Sequence, residues 1–277
     1  MATKKKKVKI TVSGGQIKKA VLKSVIPEFP RYRKDIAKLS TIIKVKNTER
    51  IINCVVGSQG TGKTVETKNV IKKYIKKYPK EKVLIVDVND EYTEYPKIHI
   101  DGIEKIKKPS RICLHNLELD KRQEVLKEIG YKFRGGLLVV EDFNAIGFVT
   151  KYSDLMTFIA CIINCRTRDI DVIITFSSLR NIFIKLMQNT TAFRIHKTFN
   201  DTDKTYEAYL YGNPLGKIPF DYARIESENN RYAHVYFDRI NQSMVGVKNQ
   251  ESMLKACTEY YKPQINSLAK RLIDGKN

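Results

Sequence analysis

The sequence has 277 residues, a mass of 32.0 kDa and 42% hydrophobic residues, which is enough for one large domain or one domain with an appendage. Lys and Arg number 51 against 30 Asp and Glu, a net charge of +21 with a pI near 9.6, which predicts a polyanionic partner. The longest apolar runs fall far short of the roughly 20 residues of a membrane-spanning helix, and the lysine-rich start does not fit a secretory leader. We therefore expect a cytoplasmic protein with no membrane partner.

The five cysteines do not form a disulfide or metal-binding pattern. They are odd in number and lie mostly in apolar sequence, as reduced buried thiols do. Only Cys161 and Cys165 are close together, and neither a second pair nor a nearby histidine completes a zinc site. We expect free thiols and no metal cage.

Residues 1–50 are rich in lysine and predict a basic N-terminal extension or subdomain. From Ile51, short β-branched runs alternate with amphipathic stretches, which is typical of strands and crossover helices in a parallel sheet. The predicted strands are Ile51–Val56, Val83–Val88, Arg111–Leu114, Leu137–Val140, Val172–Phe176 and Ala192–Lys197. This pattern predicts the α/β class, with helices on both faces of the sheet and a ligand site at the carboxyl ends of its strands.

Three helices are predicted between these strands, over Lys63–Tyr78, Asp120–Gly130 and Ser153–Cys165. Beyond about residue 200, Tyr232–Arg239 and Met244–Val247 predict a hairpin, and a further helix begins near residue 251. The expected organisation is an extension over 1–50, an α/β core over 51–203 and a small C-terminal α+β appendage over 204–277.

The strongest motif in the sequence is a phosphate-binding loop. Its residues are Gly57, Ser58, Gln59, Gly60, Thr61, Gly62, Lys63 and Thr64, which fit G-x-x-x-x-G-K-S/T between a predicted strand and a predicted helix. Glycines allow successive backbone N–H groups to face one anion, and the helix N-terminus adds the positive end of its dipole. We predict that this loop binds ATP, with Lys63 on the β- and γ-phosphates and the Thr64 hydroxyl on Mg²⁺.

An acidic pair, Glu141 and Asp142, follows the predicted strand Leu137–Val140. A P-loop hydrolase needs a carboxylate at this point to hold the metal, and usually a second one to orient the attacking water. P-loop ATPases with a catalytic glutamate after this strand usually carry Asp then Glu, so the order is inverted here. Glu141 takes the metal position and Asp142 the water-activating position, and which of the two activates water stays open.

Several segments resemble the FtsK/HerA superfamily of DNA-pumping ATPases. Residues 83–92 are similar to the strand and acidic turn that follow the phosphate-loop helix, and residues 164–175 to the stretch in which arginines close a helix before the sensor strand. Residues 189–195 are similar to the last core strand with its arginine. The family's sensor strand usually ends in Gln, whereas Ser177 stands near that place here, and it becomes the candidate for contacting the γ-phosphate or its water. The resemblance covers roughly 51–203 and implies a P-loop NTPase of the ASCE, RecA-like type.

Within this superfamily, a basic chain of this size looks most like a viral or phage ATPase that packages double-stranded DNA into a preformed capsid. The resemblance implies a homo-oligomeric ring, a pentamer or hexamer, that docks on a viral portal or procapsid in the host cytoplasm. It also implies that ATP lies between subunits and that a cation from the neighbour completes the site. Arg166 and Arg168 are the candidates, and a solvated helix end is the alternative for both.

The positive charge suits a motor on DNA, because lysines bind phosphates without regard to base sequence. The candidate contacts are Lys4–Lys7, Arg31–Lys34, Lys105, Lys107, Lys108 and Lys151. Lys151 is of most interest because it lies in the loop after the acidic pair, where a DNA contact could move with each turnover.

Two other interpretations stay open. The same superfamily includes conjugation and partition ATPases and the assembly ATPases of filamentous phages, although the assembly ATPases usually carry a membrane-spanning segment. The second alternative is a non-motor P-loop NTPase, a nucleotide switch or small-molecule kinase, whose basic surface binds nucleic acid or an acidic partner. The segment after residue 203 is short and poor in clustered Asp, so we do not expect the nuclease activity of large phage terminases.

Overall fold

The computed structural model describes residues 31–33, 50–146, 152–179, 182, 184–198, 217–239 and 243–258. The strands are β1 (Arg31–Arg33), β2 (Ile52–Val56), β3 (Val83–Asp87), β4 (Ser110–Cys113), β5 (Gly136–Val140), β6 (Ile170–Phe176), β7 (Ala192–His196), β8 (His234–Asp238) and β9 (Ser243–Val245). The helices are α1 (Lys63–Lys77), α2 (Leu119–Lys132), α3 (Tyr152–Ile163), α4 (Cys165–Arg168), α5 (Ile184–Asn189), α6 (Lys217–Glu226) and α7 (250–258), and Ile100–Lys105 and Phe143–Ile146 form 3-10 turns.

The nine described strands form one sheet in the order β1-β9-β8-β7-β2-β6-β5-β3-β4. Eight run in the same direction, and β8 is antiparallel to both of its neighbours. The α/β class and the six predicted core strands are confirmed, each strand within two residues of its predicted ends. The predicted hairpin forms β8 and β9, which extend the core sheet along the edge of β7.

The central strands are buried on both faces because helices cover both sides of the sheet. Every residue of β2, β3, β5 and β6 is buried. On one face, Val70, Ile71 and Tyr74 of α1 pack in a core with Val55 of β2. The exposed lysines on the outer side of the helix are Lys72, Lys73, Lys76 and Lys77. On the other face, α2 and α3 contribute to a larger core. Because both faces of these strands are covered, every position is buried, and the sequence of each strand is an unbroken run of mainly β-branched and other apolar residues.

Parallel pairing decides where the functional residues meet. Because β2, β3, β5 and β6 run in the same direction, the residues after Val56, Asp87, Val140 and Phe176 all lie at one edge of the sheet, the carboxyl edge. Residues that precede one of these parallel strands lie at the opposite, amino edge, whereas the antiparallel strand β8 begins at the carboxyl edge. No helix among the described segments has the length and apolar character needed to cross a bilayer.

Most of the predicted N-terminal extension lies outside the described residues, apart from β1 and Arg50. The DNA-contact candidates Lys4–Lys7, Lys34 and Lys151 also lie outside them.

Candidate nucleotide site

The phosphate loop leaves the carboxyl end of β2 and enters α1. Gly57 N–H donates to the Phe176 carbonyl at 3.1 Å and Ser58 N–H donates to the Lys197 carbonyl at 2.8 Å, which attach the loop to the ends of β6 and β7. Gly60 and the N-cap residue Gly62 adopt left-handed backbone conformations, with φ of 73° and 87°. Glycine adopts this conformation without steric cost. The loop therefore turns tightly into the positive end of the α1 dipole, where an anion binds favourably.

Lys63 lies inside this loop and faces the acidic pair. Its Nζ donates to the Ser58 carbonyl at 3.0 Å. Burial lowers the pKa of Lys63, and the negative charges of Glu141 and Asp142 oppose that shift. A partly desolvated ammonium at the mouth of an anion-binding loop interacts strongly with phosphate oxygens.

Thr64 and Glu141 meet beside the loop. The Thr64 hydroxyl donates to Glu141 Oε1 at 3.0 Å, and the Tyr92 hydroxyl donates to Glu141 Oε2 at 2.7 Å. Burial raises the pKa of Glu141 to about 7 in spite of these two hydrogen bonds. A hydroxyl and a carboxylate are oxygen ligands of the kind that Mg²⁺ prefers, and a divalent cation would compensate the buried negative charge. The two residues therefore fit the magnesium site, which stays a prediction.

Asp142 lies beside Glu141 in a left-handed conformation with φ of 44°. Its N–H donates to Thr175 Oγ1 at 2.7 Å, and Asn89 Nδ2 donates to its Oδ2 at 3.3 Å. Consecutive residues of an extended strand point to opposite faces of the sheet. The left-handed turn after β5 instead allows both carboxylates to line one cavity.

The turn after β3 contains Asn89 and Tyr92, which contact Asp142 and Glu141. Asp87 is fully buried, accepts the N–H groups of Glu91 and Tyr92 at 3.0 and 2.9 Å, and pairs with Arg111 at 2.8 Å. These contacts order the turn that brings Tyr92 onto Glu141. Asp87 therefore affects the site indirectly, by ordering the turn, because its carboxylate is already bound by two backbone N–H groups and by Arg111.

A cavity of about 1130 Å³ lies over the phosphate loop and unites most of the predicted site. The predicted residues that line it are Gln59, Gly60, Gly62, Lys63, Thr64, Glu141, Asp142 and Ser177. Ser177 follows β6, and its hydroxyl contacts the amide nitrogen of Asn144. The catalytic and binding roles of these residues stay predictions.

Eight further residues of the cavity wall were not singled out as site residues by the sequence: Val65, Lys68, Asn89, Glu91, Asn144, Ala145, Arg231 and Tyr232. Asn89 lies within the segment that resembles the family, so its neighbourhood was recognisable. Arg231 and Tyr232 lie about 170 residues from the phosphate loop along the chain, and nothing in the sequence motif points to them.

The structure does not bring Arg166 and Arg168 to this cavity. Both belong to α4, which precedes β6, so they lie at the amino edge of the sheet. Arg168 donates to the carbonyl of Gly130 in the same chain. Arg166 is exposed and lines a second cavity of about 420 Å³. Neither arginine can serve the nucleotide site of its own chain in this arrangement.

Comparisons with known proteins agree with this architecture. No protein-family model matches the sequence, and no curated protein matches it. Among solved structures, the genome packaging NTPase B204 from Sulfolobus turreted icosahedral virus 2, in complex with AMPPCP, superimposes with a TM-score of 0.52 and 12% identity, over 72% of this chain and 96% of that chain. The DNA-packaging ATPase B204 from Sulfolobus Turreted Icosahedral Virus gives a TM-score of 0.51 and 13% identity, over 71% and 96%.

The fold is that of the P-loop NTPases. These two likenesses confirm the predicted P-loop NTPase fold. At 12% to 13% identity, these likenesses show the fold alone.

Proposed function

We propose that the chain is an ATPase that uses ATP hydrolysis to translocate double-stranded DNA, packaging a viral genome into a preformed capsid as a homo-oligomeric ring. The observation that best supports ATP hydrolysis is the contact between Thr64 and Glu141 beside Lys63, with Asp142 in the same cavity. A phosphate-binding cation, two metal-ligating oxygens and a second carboxylate then lie at one edge of the sheet. P-loop hydrolysis requires this set of groups.

Each group has a distinct chemical task at this site. Lys63 places positive charge near the terminal phosphates, and Mg²⁺ held by Thr64 and Glu141 would neutralise the charge that develops there. Asp142 orients the attacking water and accepts its proton, and the Asn89 amide holds the Asp142 carboxylate in position. Ser177, with Asn144 beside it, offers a polar contact for the γ-phosphate or the water.

The DNA and packaging parts of the proposal are supported by charge and fold. The end of α1 and the segment before β4 both lie at the amino edge of the sheet, and both carry exposed lysines. These lysines are Lys76, Lys77, Lys80, Lys105, Lys107 and Lys108. This edge also carries Arg166, and the whole chain has a net charge of +21. A basic surface of this kind binds phosphate backbones without sequence preference. The two B204 structures that share the fold are described as a genome packaging NTPase and a DNA-packaging ATPase.

Double-stranded DNA is expected to stimulate ATP hydrolysis by the purified chain, and the stimulation should weaken as salt rises because phosphate contacts release counterions. The measurement is steady-state turnover with and without DNA at low and moderate salt. Replacing Lys107 and Lys108 together by Ala should reduce the stimulation while basal turnover is kept, because both side chains are exposed at the amino edge. Turnover that is indifferent to DNA at every salt concentration would contradict the translocase and favour the non-motor NTPase.

Glu141→Gln and Asp142→Asn should each lower kcat by about 10²–10⁴-fold, because each removes a charge from the reacting groups while keeping the size of the side chain. We expect Glu141→Gln also to weaken the Mg²⁺ dependence of nucleotide binding, and Asp142→Asn to leave it intact. The measurements are kcat and a Mg²⁺ titration of nucleotide affinity. Glu91→Gln is the matched control, since Glu91 lines the same cavity. The opposite pattern would exchange the roles of the two carboxylates, and near-normal kcat in both variants would refute them.

A further inference from the structure

The turn between α6 and β8 lies over the phosphate loop although it is far from it in sequence. Asn229 N–H and Asn230 N–H donate to the Glu226 carbonyl at 3.1 and 3.0 Å, and Ala233 N–H donates to the Asn230 carbonyl at 2.8 Å. The Asn230 side chain accepts the N–H of Tyr232 at 3.0 Å. These local hydrogen bonds fix the backbone of the turn, so the two residues at its tip, Arg231 and Tyr232, have a defined position.

Arg231 extends from this turn onto Gly60. Arg231 Nη2 occupies the space that a Cβ atom on Gly60 would need, so the guanidinium lies directly against the backbone of the phosphate loop. The side chain is exposed and lines the cavity together with Lys63. Among the described residues, Arg231 makes no hydrogen bond or ion pair with any acidic group. An arginine without a counter-charge beside an anion-binding loop suits phosphate oxygens.

Tyr232 supplies an apolar surface on the same side of the cavity. Its ring lies 3.2 Å from the place that a Cβ on Gly62 would occupy. The ring is 61% exposed, and Val65, in the first turn of α1, is 67% exposed. Five large hydrophobic residues are exposed among the described residues, and these two are the only ones that line the nucleotide cavity. Exposed apolar surface concentrated in one cavity indicates a ligand that covers it.

We propose that this turn forms the part of the nucleotide site that recognises ATP from outside the phosphate loop: Arg231 binds the β- or γ-phosphate in cis, and Tyr232 with Val65 packs against the nucleoside. The inference rests on the proposed ATPase function and names the residues that bind ATP from outside the phosphate loop. It also links the nucleotide to the C-terminal part of the chain, because the turn leads directly into β8, which pairs with β7 and β9.

The test is calorimetric titration of the full chain with Mg²⁺ and three probes: the non-hydrolysable analogue AMPPCP, AMP and inorganic tripolyphosphate. Arg231→Ala should raise the Kd for AMPPCP and for tripolyphosphate by about 10-fold or more, with less than about 3-fold change for AMP, because the lost partner is the β- or γ-phosphate. Tyr232→Ala should raise the Kd for AMPPCP and AMP by about 5-fold or more and leave tripolyphosphate unchanged, whereas Tyr232→Phe should bind like the wild type.

Lys255→Ala is the control for Arg231→Ala, because it removes one exposed positive charge on α7 outside the cavity. Unchanged affinities in Arg231→Ala and Tyr232→Ala, with binding that still depends on Lys63, would overturn this inference and leave the ATPase intact. Equal losses for all three probes in both variants would also overturn it, since they would indicate a general distortion. A wild-type chain that binds none of the probes would overturn the proposed function and this inference with it.

Discussion

Lys63→Ala is expected to reduce ATP hydrolysis by about 10³-fold, to a level near the background of the assay. Lys63 is the one basic side chain that the phosphate loop itself contributes, and it lies between the Ser58 carbonyl and the acidic pair. Its ammonium compensates phosphate charge that rises as the terminal phosphoryl group leaves. The measurements are turnover at saturating ATP and the affinity for AMPPCP, both of which should fall.

The fold should survive this substitution. Burial disfavours the charged form of Lys63, so its removal relieves a desolvation cost, and we expect the thermal unfolding midpoint to stay the same or rise. Lys72→Ala, on the exposed side of α1, is the matched control and should retain normal turnover. A Lys63→Ala chain that hydrolyses ATP within a few-fold of the wild type would refute the assignment of the phosphate loop as the catalytic nucleotide site.

Arg166→Ala is expected to lower turnover by about 10³–10⁵-fold if Arg166 completes the site of a neighbouring subunit. The side chain is exposed at the amino edge of the sheet, far along the strands from its own phosphate loop. An arginine in that position serves catalysis only across an interface between copies. Arg168 is a weaker candidate, because its guanidinium already donates to the Gly130 carbonyl in the same chain.

Mixing two inactive variants separates a role in trans from a structural role. In a mixed ring, an Arg166→Ala subunit still supplies Lys63 and a Lys63→Ala subunit still supplies Arg166. A nucleotide site is complete where the Lys63 of the first meets the Arg166 of the second. Random assembly of equal amounts should make about a quarter of the interfaces complete, so part of the activity should return. Turnover of the mixture that stays at the level of the separate variants, while rings form, would exclude Arg166 as the residue acting in trans. Near-normal turnover of Arg166→Ala alone would do the same.

Local pattern was sufficient for the elements of the core. The β-branched runs of β2, β3, β5 and β6 are buried on both faces and have no competing local preference, so periodicity and composition located them within two residues. The phosphate loop was identified for a similar reason. Its glycines, its lysine and its threonine all lie within eight consecutive residues. A pattern this local can be recognised from the sequence.

Side-chain partners from distant segments could not be predicted in this way. Tyr92 contacts Glu141 and Asn89 contacts Asp142 because β3 and β5 are neighbours in the sheet, not because the residues are close in sequence. The left-handed conformation of Asp142, which brings two consecutive carboxylates to one cavity, also arises from contacts with the end of β6. Sequence supplied the acidic pair but not the groups that orient it.

By itself, the sequence determined the α/β class, the phosphate loop and the pair of carboxylates, because each depends on local spacing and on which residues must be buried. Only the tertiary structure decided that Arg231 and Tyr232 lie over the loop and that Arg166 lies at the opposite edge from its own nucleotide site. The physical reason is the strand order. Parallel pairing sends the ends of β2, β3, β5 and β6 to one edge of the sheet and their starts to the other. Because β8 runs antiparallel beside β7, the turn that precedes β8 lies at the carboxyl edge, close to the phosphate loop.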